Sequence, residues 1–208
     1  MAKSKTPVIE GTAMWAKVFE PDTKFNPDGD YSINIQMPVA DSIEMSEKLD
    51  ALVQAKFNEA VKEDPRLKNQ LTTRPSCQPV FDRDTGDDTG NVEFKFKLKA
   101  KIKKRDGSVY EQSPAVFDSK VKPMDKSALI GNGSRVKVAF EPITYAMAAT
   151  KQVGVSLRLK AVQVLELVEY GTSTTSVFDE EDGYVAPSAT AAIPTTTDDE
   201  VFADATDF

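Results

Sequence analysis

Residues 92–103 alternate strictly between apolar and charged side chains, and this pattern constrains the fold more than any other feature. Successive side chains on a β-strand point to opposite faces, so the pattern predicts one strand with an apolar face and a basic face. The predicted apolar face comprises Phe94, Phe96, Leu98, Ala100 and Ile102. The predicted basic face comprises Lys95, Lys97, Lys99, Lys101 and Lys103.

Four further segments also have the pattern of strands, and turn-forming residues separate them. They are residues 12–19, 31–37, 135–140 and 153–168. Between the second of these and the lysine strand, one amphipathic helix is predicted, with Asp41 as its cap and Pro65 at its end. Its apolar residues recur at helical spacing: Met45, Leu49, Leu52, Val53, Phe57, Ala60 and Val61.

Five or six strands with one helix favour a small closed barrel over a two-sheet sandwich. The predicted fold class is therefore mainly β, a five-stranded barrel of the OB type with one inserted α-helix. We expect this barrel domain to span residues 1–170.

Charge is distributed unevenly along the chain. The formal net charge is −7, yet all 26 basic residues precede Gly171, whereas nine of the 33 acidic residues follow it. The body of the chain is thus slightly basic and the end strongly acidic, which is typical of nucleic-acid binders with an acidic tail.

Residues 171–208 are rich in Ser, Thr, Ala, Pro and acids, and such a segment buries too little apolar surface to offset its ordering entropy. We expect a disordered tail. An acidic tail can simply promote solubility, but Val201, Phe202 and Phe208 stand among the acids and suggest a docking peptide. Its candidate partner-binding residues are Asp198, Asp199, Glu200, Asp204, Asp207 and Phe208.

The chain has no histidine and one cysteine, Cys77. A zinc site, a histidine-based triad or a disulfide framework has almost no residues from which to be built. A carboxylate-only magnesium nuclease stays open, although no suitable set of acids stands out. We expect no enzymatic activity, no metal and no cofactor. A lone cysteine and a polar amino-terminal segment fit the reducing cytoplasm, with no membrane association.

The lysine face supports two interpretations. Ammonium groups about 7 Å apart repel one another unless a polyanion such as a nucleic-acid backbone compensates them. Alternatively, the face is simply solvated, or it protects a sheet edge from aggregation. Further basic residues on other predicted strands could extend a basic groove: Arg135, Lys137, Arg158 and Lys160.

Binding of unpaired bases also requires exposed aromatic rings. Trp15, Lys17 and Phe19 share strand parity, so they form a stacking platform if they face outward, whereas an inward orientation, which is commoner for large apolar residues, places the two rings in the core. Tyr110 and Tyr145 lie near predicted loops and are further stacking candidates.

Several stretches resemble the single-stranded DNA-binding proteins of tailed bacteriophages. They are Tyr-Ser-Ile-Asn-Ile (31–35), Val-Phe-Asp-Ser-Lys (116–120), Leu-Ile-Gly-Asn-Gly-Ser-Arg-Val (129–136), Gly-Val-Ser-Leu-Arg-Leu-Lys-Ala-Val-Gln-Val (154–164) and the ending Asp-Ala-Thr-Asp-Phe (204–208). The resemblance covers most of the chain and implies an OB barrel with an acidic tail.

The resemblance further implies a factor of phage DNA replication, recombination and repair that coats single strands, removes hairpins and promotes annealing in the host cytoplasm. It implies a tail that recruits the polymerase and the primase-helicase, competes with DNA for the basic groove and supports a homodimer. Two other functions stay open from the residues: a virion structural or assembly β-barrel, and an RNA-binding protein.

Overall fold

The computed structural model describes residues 6–104, 106–125, 129–147 and 149–169. One long α-helix, α1 (Val39–Glu63), is followed by a short 3-10 helix, Pro65–Asn69. The strands are β1 (Val8–Asp22), β2 (Asp30–Pro38), β3 (Thr72–Thr73), β4 (Gln78–Phe81), β5 (Asp88–Lys99), β6 (Lys101–Lys103), β7 (Val109–Glu111), β8 (Ala115–Phe117), β9 (Arg135–Met147) and β10 (Gln152–Glu166).

Five strands close into a barrel in the order β1, β2, β5, β10, β9 and back to β1. All neighbours are antiparallel except β5 and β10, whose parallel pairing places Phe96 opposite Leu157 and Lys97 opposite Arg158. Strand β4 extends the sheet beside β5, while β3 and β8 pair with β10. The predicted OB-type barrel with one inserted helix is confirmed.

The core fills the inside of this barrel with alternate side chains of its strands. Ile33, Ile35, Phe94, Phe96 and Phe140 are fully buried. The rings of Phe96 and Phe140 lie 5.1 Å apart between centroids. Tyr31 has the same strand parity as Ile33 and Ile35, which predicts a core position, and it is buried with them. Burial of this apolar surface is the main favourable contribution to folding.

The helix contributes a narrower face to the core than its apolar pattern predicts. Leu49 and Val53 are buried, whereas Leu52 is exposed. The prediction of Asp41 as the cap was wrong, because the helix starts directly from the end of β2 with Pro38 as its N-cap and no side-chain capping bond. Pro65 follows the helix end as predicted, since the helix cap is Asp64.

The predicted lysine strand is interrupted at Ala100. Strand β5 ends at Lys99, and Lys101–Lys103 instead pairs with β7 in a separate two-stranded hairpin. Ala100 is buried, and its N–H and carbonyl bond to Gly29 (2.8 Å) and Gln112 (2.9 Å) rather than to a barrel strand. The alternation of residue types continues across this break, so the sequence pattern does not reveal it.

Strand β9 is seven residues longer than the predicted strand 135–140 and contains Pro142. Strand β1 pairs with residues 135–139, and the Phe140 N–H donates to the Pro7 carbonyl at 3.1 Å. Among the described residues, β9 shows no pairing with β1 beyond these contacts, so Pro142 stands at an edge. Proline is tolerated at such an edge because its missing N–H is not needed there. Tyr145, predicted near a loop, therefore lies within a strand, opposite Gly154 of β10.

Candidate nucleic-acid interface

The outer surface of β2 and β5 carries a line of polar and basic side chains across the barrel. Lys97 stands between Ser32 of β2 and Arg158 of β10. Ser32 in turn stands opposite Lys17 of β1. Because neighbouring strands lie about 4.8 Å apart, these residues form a polar line that crosses four strands.

The lysines on β5 differ in how far their charge is compensated. The Lys95 ammonium lies 3.7 Å from the Glu93 carboxylate. Within the described part of the chain, Lys97 and Lys99 have no ion-pair partner. Two uncompensated positive charges therefore stand on the outer face, as the alternating pattern predicts.

Trp15 lies on the outer surface beside this face, not in the core. Its side chain is 48% exposed, and its backbone has a left-handed φ of 53°. The register between β1 and β2 is irregular between Met14 and Lys17, which marks a β-bulge. Lys17 is also exposed, whereas Phe19 is half-buried and packs against the core. Of the three residues predicted to share a face, Trp15 and Lys17 thus lie on the outer surface, whereas Phe19 lies on the core side.

An open cleft of about 700 Å³ lies beside the indole. It is lined by Asn34 and Lys95 from the barrel, by Phe81 at the end of β4 and by Arg83 from the connection between β4 and β5. The Arg83 guanidinium lies over the Trp15 ring, 5.5 Å from its centre. A cation in this position is attracted by the ring's π electrons and restrains the indole.

Tyr145 borders a second cleft on the other side of Lys95. This cleft is lined by Arg74, Cys77, Lys95, Lys97 and Tyr145, among others. Because Lys95 borders both clefts, they form one continuous surface. We call this surface the barrel groove and define it by Trp15, Asn34, Lys95, Lys97 and Tyr145.

The hairpin of β6 and β7 continues from one end of the lysine row. Its lysines are paired with acids: Lys101 with Glu111 at 3.1 Å and Lys103 with Asp28 at 3.6 Å. Tyr110 is exposed on this hairpin, and the Lys104 ammonium lies 6.0 Å from the centre of its ring. The hairpin thus also presents a ring beside a cation.

The other predicted basic residues lie on β9 and β10. Arg135 and Lys137 contact Glu10 at 3.7 and 3.4 Å, and Arg135 also contacts Glu166 at 3.5 Å. The structure does not bring these two residues to the barrel groove. Lys160 pairs with Glu141 at 3.2 Å. Arg158 donates a hydrogen bond to Gln112 at 3.1 Å, which holds its guanidinium near Lys97.

Several residues of this surface were not predicted from the sequence. Phe81, Arg83 and Arg74 stand in turn-rich stretches that show no period, so no pattern marks them. Phe25, in the loop between β1 and β2, is 88% exposed, with the Lys24 ammonium 5.5 Å from its ring centre. The sequence did contain a signal for Phe25, because an aromatic residue directly after a lysine in a turn is a candidate for base stacking.

Two carboxylates around this surface have lowered pKa values. The hydrogen bond from Lys17, at 2.5 Å, is the main cause of the lowered pKa of Asp22. Backbone N–H groups of Thr85 and Asp84 lower the pKa of Asp82, because they stabilise its ionised form. The two hydrogen bonds to the Asp82 carboxylate also fix the turn that carries Arg83.

A cleft of about 950 Å³ lies between β1 and the start of α1. Glu10, Asp41 and Glu44 line it together with Lys48 and Arg135, so its charge is mixed. Lys48 is paired with Glu44, and Arg135 is paired with Glu10. Because both positive charges are compensated within the cleft, it is a poor site for a polyanion. The charge argument thus favours the barrel groove over the larger cleft.

Within the described ranges, no acidic and cysteine side chains cluster in a way that could hold a metal ion. No helix in the same ranges is both long and apolar enough to cross a membrane. The predicted tail residues from Asp198 to Phe208 lie outside the described residues.

Comparison with known proteins identifies relatives. The family model described as "Single-stranded DNA-binding protein, Bacteriophage T7" matches residues 10–167. The single-stranded DNA-binding protein of Escherichia phage T7 is 28% identical over 179 residues, which cover 80% of this chain and 75% of that protein. That of Enterobacteria phage T3 is 28% identical over 156 residues, which cover 70% of this chain and 66% of that protein.

A solved structure has the same architecture. The crystal structure of gp2.5, a single-stranded DNA-binding protein encoded by bacteriophage T7, superposes with a TM-score of 0.63 at 27% sequence identity. The match covers 87% of this chain and 100% of that one. The family model matches the chain from the third residue of β1 to the end of β10, which includes the barrel groove. The chain belongs to the bacteriophage T7 family of single-stranded DNA-binding proteins.

Proposed function

We propose that the chain binds single-stranded DNA without sequence preference along the barrel groove. The observation that carries this proposal is the placement of Trp15 and Tyr145 on either side of Lys95 and Lys97. Rings and ammonium groups on one surface match the two parts of a single strand, its bases and its phosphates.

The aromatic rings explain the preference for unpaired bases. Each base stacked on an aromatic side chain contributes about 1–3 kcal/mol, and every base offers a π face, so stacking is tolerant of sequence. Bases within a duplex are already stacked on each other and are not available to Trp15. Duplex DNA therefore competes poorly.

The lysines supply the salt-dependent part of the affinity. We propose that Lys95, Lys97 and Lys99 contact phosphates, assisted by Lys17 and Arg158, which stand in the same polar line or beside it. Each phosphate contact on a single strand changes the log-log salt slope by about −0.7, so about five contacts give a slope near −3.5.

We propose that the β6–β7 hairpin and the β1–β2 loop extend this path for longer strands. The contact between Asp28 and Lys103 ties the loop to the hairpin. Phe25 and Tyr110, each beside a lysine, supply further stacking surfaces there. The ion pairs of Lys101 and Lys103 can be exchanged for phosphates, because all of these groups are exposed and such pairs are weak.

Fluorescence anisotropy of a labelled oligo-dT, measured at about 50 and about 200 mM salt with duplex competitor, tests the proposal. The expected result is tight binding that weakens steeply with salt and resists duplex. An absence of binding at low salt would leave a solvated lysine face and favour a virion structural or assembly role. Equal competition by oligo-rU would broaden the proposal to RNA.

We further propose that this binding serves phage DNA replication, recombination and repair in the host cytoplasm, including annealing of complementary strands. In this proposal the acidic tail contacts the replication polymerase and the primase-helicase, and a homodimer is one state of the protein. Support comes from the acids that precede Phe208 and from the family of the chain.

The tail is also proposed to compete with DNA for the barrel groove. Tethering places its carboxylates at an effective concentration on the order of millimolar beside the lysines. A chain that lacks residues 171–208 is expected to bind oligo-dT more tightly, most clearly at low salt. Unchanged affinity of the shortened chain would count against competition while leaving DNA binding itself in place.

A further inference from the structure

The turn Gly131-Asn132-Gly133-Ser134 contacts the part of β1 that carries Trp15. The Gly133 N–H donates to the Ala13 carbonyl at 3.0 Å, and the Ala13 N–H donates to the Ser134 carbonyl at 2.7 Å. Beyond these backbone bonds, the Trp15 N–H donates to the side-chain carbonyl of Asn132 at 2.7 Å. Asn132 thus bonds a residue 117 positions away in the chain.

This bond is made where β1 leaves ordinary strand geometry. The φ of 53° at Trp15 is left-handed, a region that bulky L residues rarely adopt. The irregular register between Met14 and Lys17 leaves this stretch outside the regular β1–β2 pairing. The Asn132 side chain supplies an acceptor for the Trp15 N–H at this bulge.

The bulge decides which side of the barrel wall receives the indole. Before it, the odd-numbered residues Ile9 and Ala13 are buried; after it, the even-numbered Val18 is buried. In an uninterrupted strand, Trp15 would share the inward face of Ala13. The bulge therefore turns Trp15 outward, beside Arg83 and the barrel groove.

The turn is itself held from its other side. The Gly131 N–H donates to the Val168 carbonyl at 2.8 Å, and the Val168 N–H donates to the Ser134 hydroxyl at 2.9 Å. Ser134 is fully buried and also donates to the Gly131 carbonyl at 2.8 Å. These bonds fix the turn, so that Asn132 is presented to β1 by a restrained backbone.

From these contacts we infer that Asn132 is a positioning residue for base stacking: its side-chain carbonyl holds the bulge that keeps Trp15 on the DNA-binding side. This inference rests on the proposed stacking of Trp15. Asn132 acts through the Trp15 backbone, and it contributes no charge to the phosphate path.

Trp15 is the only tryptophan of the chain, so its fluorescence reports the bulge directly. Asn132→Ala removes the acceptor, whereas Asn132→Asp keeps an oxygen in its place. If the alanine variant does not fold, Asn132→Gly removes the same acceptor in a form that turns tolerate. Emission, acrylamide quenching and oligo-dT affinity are measured for each variant, with circular dichroism as the folding control.

Asn132→Ala is expected to change the emission and quenching of the free protein and to weaken oligo-dT binding about tenfold, with an unchanged salt slope. Asn132→Asp should keep the wild-type emission. In a double-mutant cycle, Asn132→Ala should cost little further affinity when Trp15 is already alanine.

Two results separate the possible failures. If Trp15→Ala weakens binding but Asn132→Ala changes neither emission nor affinity, the positioning inference is wrong and the proposed function stands. If Trp15→Ala leaves affinity unchanged, Trp15 stacking is wrong, and the positioning role in DNA binding is overturned with it.

Discussion

The ring of Tyr145 lies across Gly154 on the neighbouring strand, so close that a Cβ atom on Gly154 would come within 2.6 Å of the phenolic oxygen. The two residues stand opposite each other in the β9–β10 pairing. A side chain at position 154 would therefore displace the ring from the barrel groove. The absence of a side chain is what lets Tyr145 lie along the sheet surface beside Lys97.

Gly154→Ala is expected to weaken oligo-dT binding by about as much as Tyr145→Ala, roughly 5- to 100-fold if one base stacks on this ring. The clash is local, so the barrel should stay folded. Equilibrium titrations by anisotropy provide the measurement, and Thr150→Ala in the exposed β9–β10 turn is the control. Wild-type affinity of Gly154→Ala would show that the ring has no role in binding.

Lys97→Ala should lower affinity and make the salt slope less negative by about 0.7, because one phosphate contact is lost. Lys137→Ala is the matched control: it removes the same charge from a lysine that already contacts Glu10. Titrations at several salt concentrations give both quantities. Equal effects of the two substitutions would indicate a general charge effect in place of a defined phosphate path.

The double variant Phe25→Ala, Tyr110→Ala should weaken binding of an oligo-dT of about 30 nucleotides more than that of one of about 8. The shorter strand occupies the barrel groove without reaching the hairpin. Val121→Ala, which removes another exposed apolar side chain, is the control. An equal loss at both lengths would place these rings within the minimal site.

Oligo-dT affinity should stay constant between about pH 5.5 and about pH 7. The chain has no histidine, and hydrogen bonding from Lys17 lowers the pKa of Asp22 further below its usual 3.8. A depressed pKa means that the Lys17–Asp22 contact is intact above the unfolded value and is lost only as pH falls through the folded value. Anisotropy titrations across this range would contradict the account if they showed a midpoint near 6.5.

The barrel and its lysine face could be predicted because the strands alternate between buried apolar residues and exposed polar residues, a pattern that is visible in the sequence. The position of Trp15 could not, because a bulge between Met14 and Lys17 interrupts the alternation of β1. The Asn132 carbonyl that accepts from Trp15 at this bulge lies 117 residues away in the chain. The end of β5 at Lys99 was equally hidden, since the hairpin beyond the break at Ala100 keeps the same alternation. The contribution of turn residues such as Arg83 could not be predicted either, because residues in turns follow no periodic pattern of apolar and polar side chains.

The most direct test of the account is a titration of the protein with oligo-dT, followed by the fluorescence of Trp15. The account predicts a saturable change in emission that parallels the anisotropy signal, because a base stacks on the indole. Duplex DNA at the same concentration should give little change. Tight binding of oligo-dT with no change in Trp15 emission would contradict the central claim and place the bound strand elsewhere on the barrel.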